Sequence, residues 1–444
     1  MDKRVIALVD CNNFFVACER LRKPELRDIP VCVLSNNDGC VVSRSNEAKR
    51  MGIEMGAPYF ICKHQFKKVK FLSGDLTYYC EISKRVMDKL YDFTPDVEIY
   101  SIDEAFLDLT GLRKTFNCSY EEIIERIVKE VKNEIGIDVS VGLSYSKVLA
   151  KLANDKAKKL QKNKIDKKTY KIGYRDIQKE LKETLISDVW GVGKNTTALL
   201  KKHLIQTCAD FVSQDDIWIK KNLGKIGIEL KQELLGNSIH NVESAHVAPK
   251  SISRSESFKE FQADKNYITN ELVSHIHKVC KKLRNEELLT SCVGVMLRTK
   301  DFQVFDSKIN LINPTNTEFE LINIAKNMLD NMFIKGTIYR SVGFFATKLT
   351  PQNSQQISLF DGIETVKKQE LSKSWDKLEE KFGKDVIKLG QHAIDSLLSE
   401  TSLRGTEWRS NLVSTYNLFM DYHALRSLQW RIMYFIITTV ILRL

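Results

Sequence analysis

Val5-Ile6-Ala7-Leu8-Val9-Asp10 sets five apolar residues in unbroken succession before a carboxylate. A strand buried on both faces shows such a run instead of alternation, so this stretch is predicted to be a central strand with Asp10 at its end. Further along, Val97-Glu98-Ile99-Tyr100 and Ala105-Phe106-Leu107-Asp108-Leu109 suggest a strand pair, with Ser101-Ile102-Asp103-Glu104 between them at a hairpin tip or strand end. Tyr120 to Ile135 carries Ile123, Ile124, Ile127, Val128 and Val131, an apolar stripe at helical spacing. Val139-Ser140-Val141-Gly142-Leu143 adds another strand. This order predicts a split β-α-β sheet with helices on one face.

A chain of 444 residues has room for about three domains. With 43% hydrophobic and 28% charged residues, its composition is that of an ordinary globular protein. The net charge of +11 favours a polyanionic partner, nucleic acid or an anionic membrane surface, against the plainer alternative of a solvated lysine face. The charge is concentrated: Lys147 to Lys171 holds ten lysines against two aspartates. No pair of cysteines has C-x-x-C spacing and no histidine pair completes a zinc site, so the cysteines are expected to be reduced core thiols in a cytoplasmic protein. The N-terminal apolar run is too short for a signal peptide, and Asp10 interrupts it. Ile432 to Leu442 has eleven residues, short of the roughly 20 that span a bilayer, and no membrane association is expected.

Asp10, Asp103 and Glu104 at neighbouring strand ends would repel one another unless cations lay between them. Two Mg²⁺ ions suit such a cluster, because hard cations take carboxylate oxygens and leave room for substrate phosphates. The plainer alternative makes Asp10 a turn cap and Asp103-Glu104 surface residues. Phe14 and Phe15 follow closely and could floor a nucleotide pocket, where Phe15 would exclude a ribose 2′-hydroxyl by sterics; both could equally be core aromatics.

The run Asp10-x-Asn12-x-Phe14-Phe15-x-x-Cys18-Glu19, with Ser101-Ile102-Asp103-Glu104-Ala105-Phe106-x-Asp108, resembles the Y-family of translesion DNA polymerases. Within that family, Leu34-Ser35-Asn36-Asn37-Asp38-Gly39-Cys40-Val41 and Glu98 to Phe106 resemble the UmuC branch, the catalytic subunits of DNA polymerase V. The resemblance covers roughly residues 4 to 400. It implies an α+β right-hand polymerase with a ferredoxin-like palm (1–10 and 77–165), small fingers (11–76) and a helical thumb with a helix-hairpin-helix (166–238). An α+β little finger (247–350) and a C-terminal tail (351–444) complete the expected order. The implied activity is error-prone, two-metal nucleotidyl transfer from dNTPs on primer-template DNA, in SOS repair and mutagenesis.

The same resemblance assigns roles. Asp10, Asp103, Glu104 and the carbonyl of Cys11 would hold two Mg²⁺ ions, with Asp103 and Glu104 catalytic. Phe15 matches the steric gate and Phe14 the residue beneath the sugar. Asn46 and Lys49 fall where archaeal members place an aromatic and an arginine on the triphosphate; lysine supplies the charge without the bidentate fork. Lys158 matches a lysine on the triphosphate, in agreement with the need for a cation near the leaving group.

Trp190-Gly191-Val192-Gly193-Lys194 resembles a helix-hairpin-helix turn, in which Gly191, Gly193 and Lys194 would meet a DNA phosphate. Ser253 and Arg254 resemble phosphate contacts on the first little-finger strand. Gln356, Leu359 and Phe360, in Gln356-Ile357-Ser358-Leu359-Phe360, resemble the peptide by which bacterial polymerases dock on the sliding clamp. A dimer of processed UmuD and a recombinase filament are implied partners. Trp430 to Leu444 departs from the group in being strongly apolar. Two other functions remain in view: an idle scaffold that binds DNA and the clamp, and a two-metal nuclease.

Overall fold

The computed structural model describes residues 4–162, 167–244, 248–354 and 362–382. The chain divides into two compact units, Met1–Val247 and Ala248–Leu444.

The first unit is built on a five-stranded sheet of order β5-β6-β1-β7-β8. These strands are β1 (Ile6–Cys11), β5 (Val97–Ile99), β6 (Glu104–Asp108), β7 (Val139–Ser144) and β8 (Thr169–Lys171). β1 is central and antiparallel to both β6 and β7, and Leu8 faces Phe106 on one side and Gly142 on the other. Ile6, Ala7 and Leu8 are fully buried, as the unbroken apolar run demands. Side chains alternate between the two faces of the sheet. Ala7 and Val9 enter the main core with residues of the helices Leu76–Leu90 and Tyr120–Ile135, whereas Ile6, Leu8 and Phe106 pack with Ala150 of the helix Lys147–Lys162. Helices therefore cover both faces, which corrects the one-sided arrangement expected from the sequence. The reason is in β1 itself: a strand apolar on both sides needs two covers.

A smaller sheet of order β3-β2-β4 joins β2 (Val31–Leu34), β3 (Val41–Arg44) and β4 (Lys70–Ser73). Helices Ile177–Glu183, Lys194–Lys202, Cys208–Val212 and Asp216–Leu234 follow the large sheet and enclose a third core around Leu181, Leu200, Phe211 and Leu234.

The second unit has four antiparallel strands in the order β11-β10-β12-β9. They are β9 (Ser251–Gln262), β10 (Leu288–Thr299), β11 (Val304–Thr315) and β12 (Tyr339–Pro351). Helices Lys265–Asn285 and Glu318–Met332 share their core, through Ile268, Leu272, Leu321 and Leu329, with Val293, Val295 and Phe344 of the sheet. The segment expected as a tail contains a further helix, Gly362–Phe382, tied to the helix Lys265–Asn285 by charge. Arg284 binds Asp376 (2.6 Å) and Glu318 (2.8 Å), while Lys281 binds Glu379 (2.7 Å). Glu318 is fully buried, which would raise its pKa, but hydrogen bonds from His277 and Arg284 hold it at about 2.

Candidate active site

Antiparallel register makes the site. Asp10 stands opposite Glu104 on β6 and Ser140 on β7, so their side chains emerge on one face, the face covered by the helix Lys147–Lys162. Asp103 immediately precedes β6; its carbonyl accepts the Cys11 N–H at 2.8 Å, and Ser101 Oγ donates to Asp103 Oδ1 at 2.6 Å. The Cys11 side chain is buried, and burial pushes its thiol well above the usual range, so it is a neutral core group with no thiolate to offer.

The helix Lys147–Lys162 answers these acids with a stripe at positions i, i+4, i+7 and i+11. Lys147 pairs with Glu98, and Lys151 Nζ lies 2.7 Å from Glu104 Oε2. Asn154 Nδ2 donates to the Ser140 carbonyl at 2.7 Å, and Lys158 Nζ lies 2.5 Å from Asp10 Oδ2. Gly142 permits this closeness, because a Cβ there would come within 2.2 Å of the Ala150 carbonyl oxygen and the Asn154 amide nitrogen. Sequence reasoning singled out Lys158 and missed Lys151 and Asn154; the helical spacing from Lys147 was the signal available.

Burial raises Asp10 to about 6; Lys158 opposes the shift, and Asp103 and Glu104 add to it. Three carboxylates thus converge here on the two ammonium groups of Lys151 and Lys158. Among the described residues, the oxygens of Asp10, Asp103 and Glu104 do not close to within 4.8 Å of one another as the His277, Asp376 and Glu379 ligand atoms do. Lysines meet two of the three acids instead. An all-oxygen donor set of three carboxylates fits hard divalent cations, which would share or displace the ammonium groups.

On the nucleotide side, Phe14 is 3% exposed and belongs to the core, so it supports its neighbour and presents no open face. Phe15 is half-buried and stacked on Tyr79, with centroids 4.6 Å apart and planes 16° from parallel. Tyr79 is itself fixed, its hydroxyl donating to the buried Glu19 Oε1 at 2.9 Å. Asn13, left-handed at φ 52°, immediately precedes the helix Phe14–Arg22 and turns its side chain away from the helix end. Its Nδ2 donates to Asn46 Oδ1 (3.0 Å), and its Oδ1 accepts from Lys49 Nζ (2.5 Å). The structure thus brings Asn46 and Lys49 together beside Phe14 and Phe15 through Asn13, which sequence reasoning missed.

The remaining candidates fall on other elements. Gly191 is left-handed at φ +91°, and Gly193 precedes Lys194 at the start of the helix Lys194–Lys202. Ser253 and Arg254 are consecutive on β9 and point to opposite faces. Arg254 pairs with the core residue Phe344, so it lies on the helix side, whereas Ser253 pairs with Phe345 on the open side. Gln356, Leu359 and Phe360 fall outside the described residues. No helix among the described residues is long and apolar enough to cross a membrane.

Solved structures share the fold. A Y-family DNA polymerase chimera of Dbh and Dpo4 superposes with a TM-score of 0.66 at 21% identity, covering 78% of this chain and 99% of that one. DinB from Sulfolobus solfataricus gives 0.51 at 22% identity, covering 77% and 98%. The fold is that of an α+β right-hand polymerase, with the five-stranded sheet as its palm and the four-stranded sheet in its little finger. The sequence matches the impB/mucB/samB family over residues 9–155 and the C-terminal domain of that family over residues 249–359. It is 34% identical to Protein UmuC of Salmonella typhimurium over 80% of this chain and 86% of the relative. DNA polymerase IV of Brucella melitensis is 28% identical over 87% and 84%. The chain belongs to the impB/mucB/samB family and is a UmuC-like Y-family polymerase.

Proposed function

We propose that the chain is an error-prone translesion DNA polymerase that extends a primer on a DNA template from dNTPs in SOS repair and mutagenesis. One observation carries the mechanism: the register that sets Asp10 against Glu104, beside Asp103, under the ammonium groups of Lys151 and Lys158. Asp10, Asp103 and Glu104, with the backbone carbonyl of Cys11, would hold two Mg²⁺ ions. When bound, the ions supply activation of the attacking hydroxyl and neutralisation of the triphosphate. Lys158 leaves Asp10 and turns to the β- and γ-phosphates, where its charge stabilises the leaving pyrophosphate.

Asn46 and Lys49, gathered by Asn13, face the triphosphate from the other side. Phe15, held flat by Tyr79, closes against the 2′ carbon of the sugar, with Phe14 packed behind it. Gly191, Gly193 and Lys194 approach duplex phosphates, and Ser253 grips the backbone from the open face of β9 while Arg254 lies on the helix side; such contacts position the duplex without reading its sequence. Gln356, Leu359 and Phe360 dock on the sliding clamp, and a processed UmuD dimer and a recombinase filament assemble with the chain in the bacterial cytoplasm. An idle scaffold would have no use for three partly buried acids. A nuclease would have none for a sugar gate.

Primer extension tests the proposal, using the full chain with dNTPs, Mg²⁺, clamp, processed UmuD and recombinase filament. Template-dependent elongation that stops on chelation is expected. Strand degradation would favour the nuclease, and binding without synthesis the scaffold.

A further inference from the structure

We propose that Lys151 is a positioning residue for Glu104: its ammonium stands in for a divalent cation on that carboxylate, and an aromatic box sets where it stands. The inference rests on the metal-carboxylate reading of Asp10, Asp103 and Glu104 given above. Lys151 Nζ lies 2.7 Å from Glu104 Oε2, with side chains only 21% and 12% exposed, so water screens the pair weakly. The ammonium also lies 5.5 Å from the Tyr100 ring centre and 6.0 Å from that of Trp190, within cation–π range.

The rings fix one another. Tyr100 meets Phe106 edge-on at 5.7 Å and Trp190 edge-on at 5.3 Å, while Trp190 lies 5.8 Å from Phe106. Trp190 Nε1 donates to the Tyr100 hydroxyl at 3.1 Å. Phe106 is two residues beyond Glu104 on β6 and so shares its face of the sheet. Trp190 opens the turn whose Gly191, Gly193 and Lys194 are the proposed phosphate contacts. One box therefore joins the thumb turn to a metal carboxylate. Of the neighbouring lysines, Lys147 pairs with Glu98 and lies 5.3 Å from the Phe106 ring centre, and Lys158 pairs with Asp10.

Two consequences follow from electrostatics. An incoming divalent ion competes with Lys151 for Glu104 and is repelled by its charge. Without Lys151, Glu104 attracts the ion more strongly but is less well placed for the reaction. Removing the indole loosens the box and should move metal affinity in the same direction, although Trp190 touches no carboxylate.

The test is calorimetric titration of Mn²⁺ into the full chain without DNA, paired with single-nucleotide insertion kinetics. Lys151→Met is expected to bind Mn²⁺ about tenfold more tightly, the scale of removing one partly screened charge. Its kcat should fall while its KM for dNTP stays within about twofold of wild type. Lys151→Arg should keep the wild-type Mn²⁺ affinity, and Trp190→Leu should show a smaller shift in the Lys151→Met direction. If Lys151→Met does not fold, Lys151→Gln takes its place. Unchanged Mn²⁺ affinity in the uncharged variant overturns the proposal. A raised KM for dNTP with unchanged Mn²⁺ affinity also overturns it and assigns Lys151 to the triphosphate. Asp103→Ala separates the two levels: if it leaves Mn²⁺ binding intact, the carboxylate reading itself fails.

Discussion

Gly142 offers a sharp perturbation, because its substitution sets backbone against backbone. A Cβ at this position would lie 2.2 Å from the Ala150 oxygen and the Asn154 nitrogen, and 2.8 Å from the Ala153 carbonyl carbon. No side-chain rotation relieves those contacts. Reaching an ordinary separation of roughly 3.5 Å requires the helix Lys147–Lys162 to retreat by more than about 1 Å. Overpacking of this kind costs about 1–3 kcal/mol, and the unyielding partners place Gly142→Ala near the upper end. For a unit of this size that is a fall in Tm of roughly 6–12 °C. The same retreat lengthens the 2.7 Å bond from Asn154 to Ser140 and carries Lys151 and Lys158 away from Glu104 and Asp10. A misplacement of about 1 Å in a positioned group can lower a rate about 100-fold, so insertion should slow by roughly that factor. Thermal melting and single-turnover insertion measure the two effects. Gly193→Ala is the control for stability: with φ at −82° and nothing within 4 Å, it should melt near wild type. A Gly142→Ala protein with wild-type Tm and insertion rate would refute the close approach and the site geometry built on it.

Three further outcomes are expected. Phe15→Ala should raise ribonucleotide relative to deoxyribonucleotide insertion by roughly a few hundred-fold, equivalent to ~3–4 kcal/mol; an unchanged ratio with a lowered Tm would make Phe15 a core residue only. His277 Nδ1 and Nε2 lie 2.9 and 3.0 Å from Glu318 and Glu379, with Lys281, Arg284 and Asp376 close by and Trp375 stacked on the ring. Burial alone would lower its pKa, but Glu318 and then Glu379 outweigh that and hold it above 6.5. The imidazolium therefore stabilises attachment of the helix Gly362–Phe382 fully below about pH 6.5, and this contribution is lost as pH rises through the raised folded value. Hydrogen exchange in that helix should accelerate across this window beyond the intrinsic rate, and His277→Gln should flatten the dependence; identical profiles would disprove it. Deleting Gln356 to Phe360 should abolish clamp-dependent synthesis and spare distributive insertion, whereas undiminished clamp capture would exclude this peptide as the docking element.

The palm was legible because its residues obey strong local rules. The unbroken run before Asp10 announced a central strand, and the stripe from Ile123 to Val131 falls within the helix Tyr120–Ile135. The cover on the second face was missed, although Ile6 and Leu8 required one, because helix position depends on tertiary contacts such as that at Gly142. Lys151 was lost among the ten lysines between Lys147 and Lys171, since only the register of β1 with β6 shows which of them meets an acid. Asn13 escaped notice because its role depends on a left-handed backbone and on a helix more than thirty residues away. Ser253 and Arg254 were read as a pair, yet strand alternation alone separates their faces.

The central claim is that Asp103 and its neighbours hold the metal that drives nucleotidyl transfer, while other residues hold the DNA. The direct measurement compares Asp103→Ala with wild type in two assays on one preparation: primer extension with Mg²⁺ and dNTPs, and equilibrium binding to the same primer-template at fixed salt. Extension should fall below detection while the Kd for DNA stays within about threefold, because duplex affinity comes from phosphate contacts made by basic residues. Extension at the wild-type rate by the Asp103→Ala protein would contradict the account.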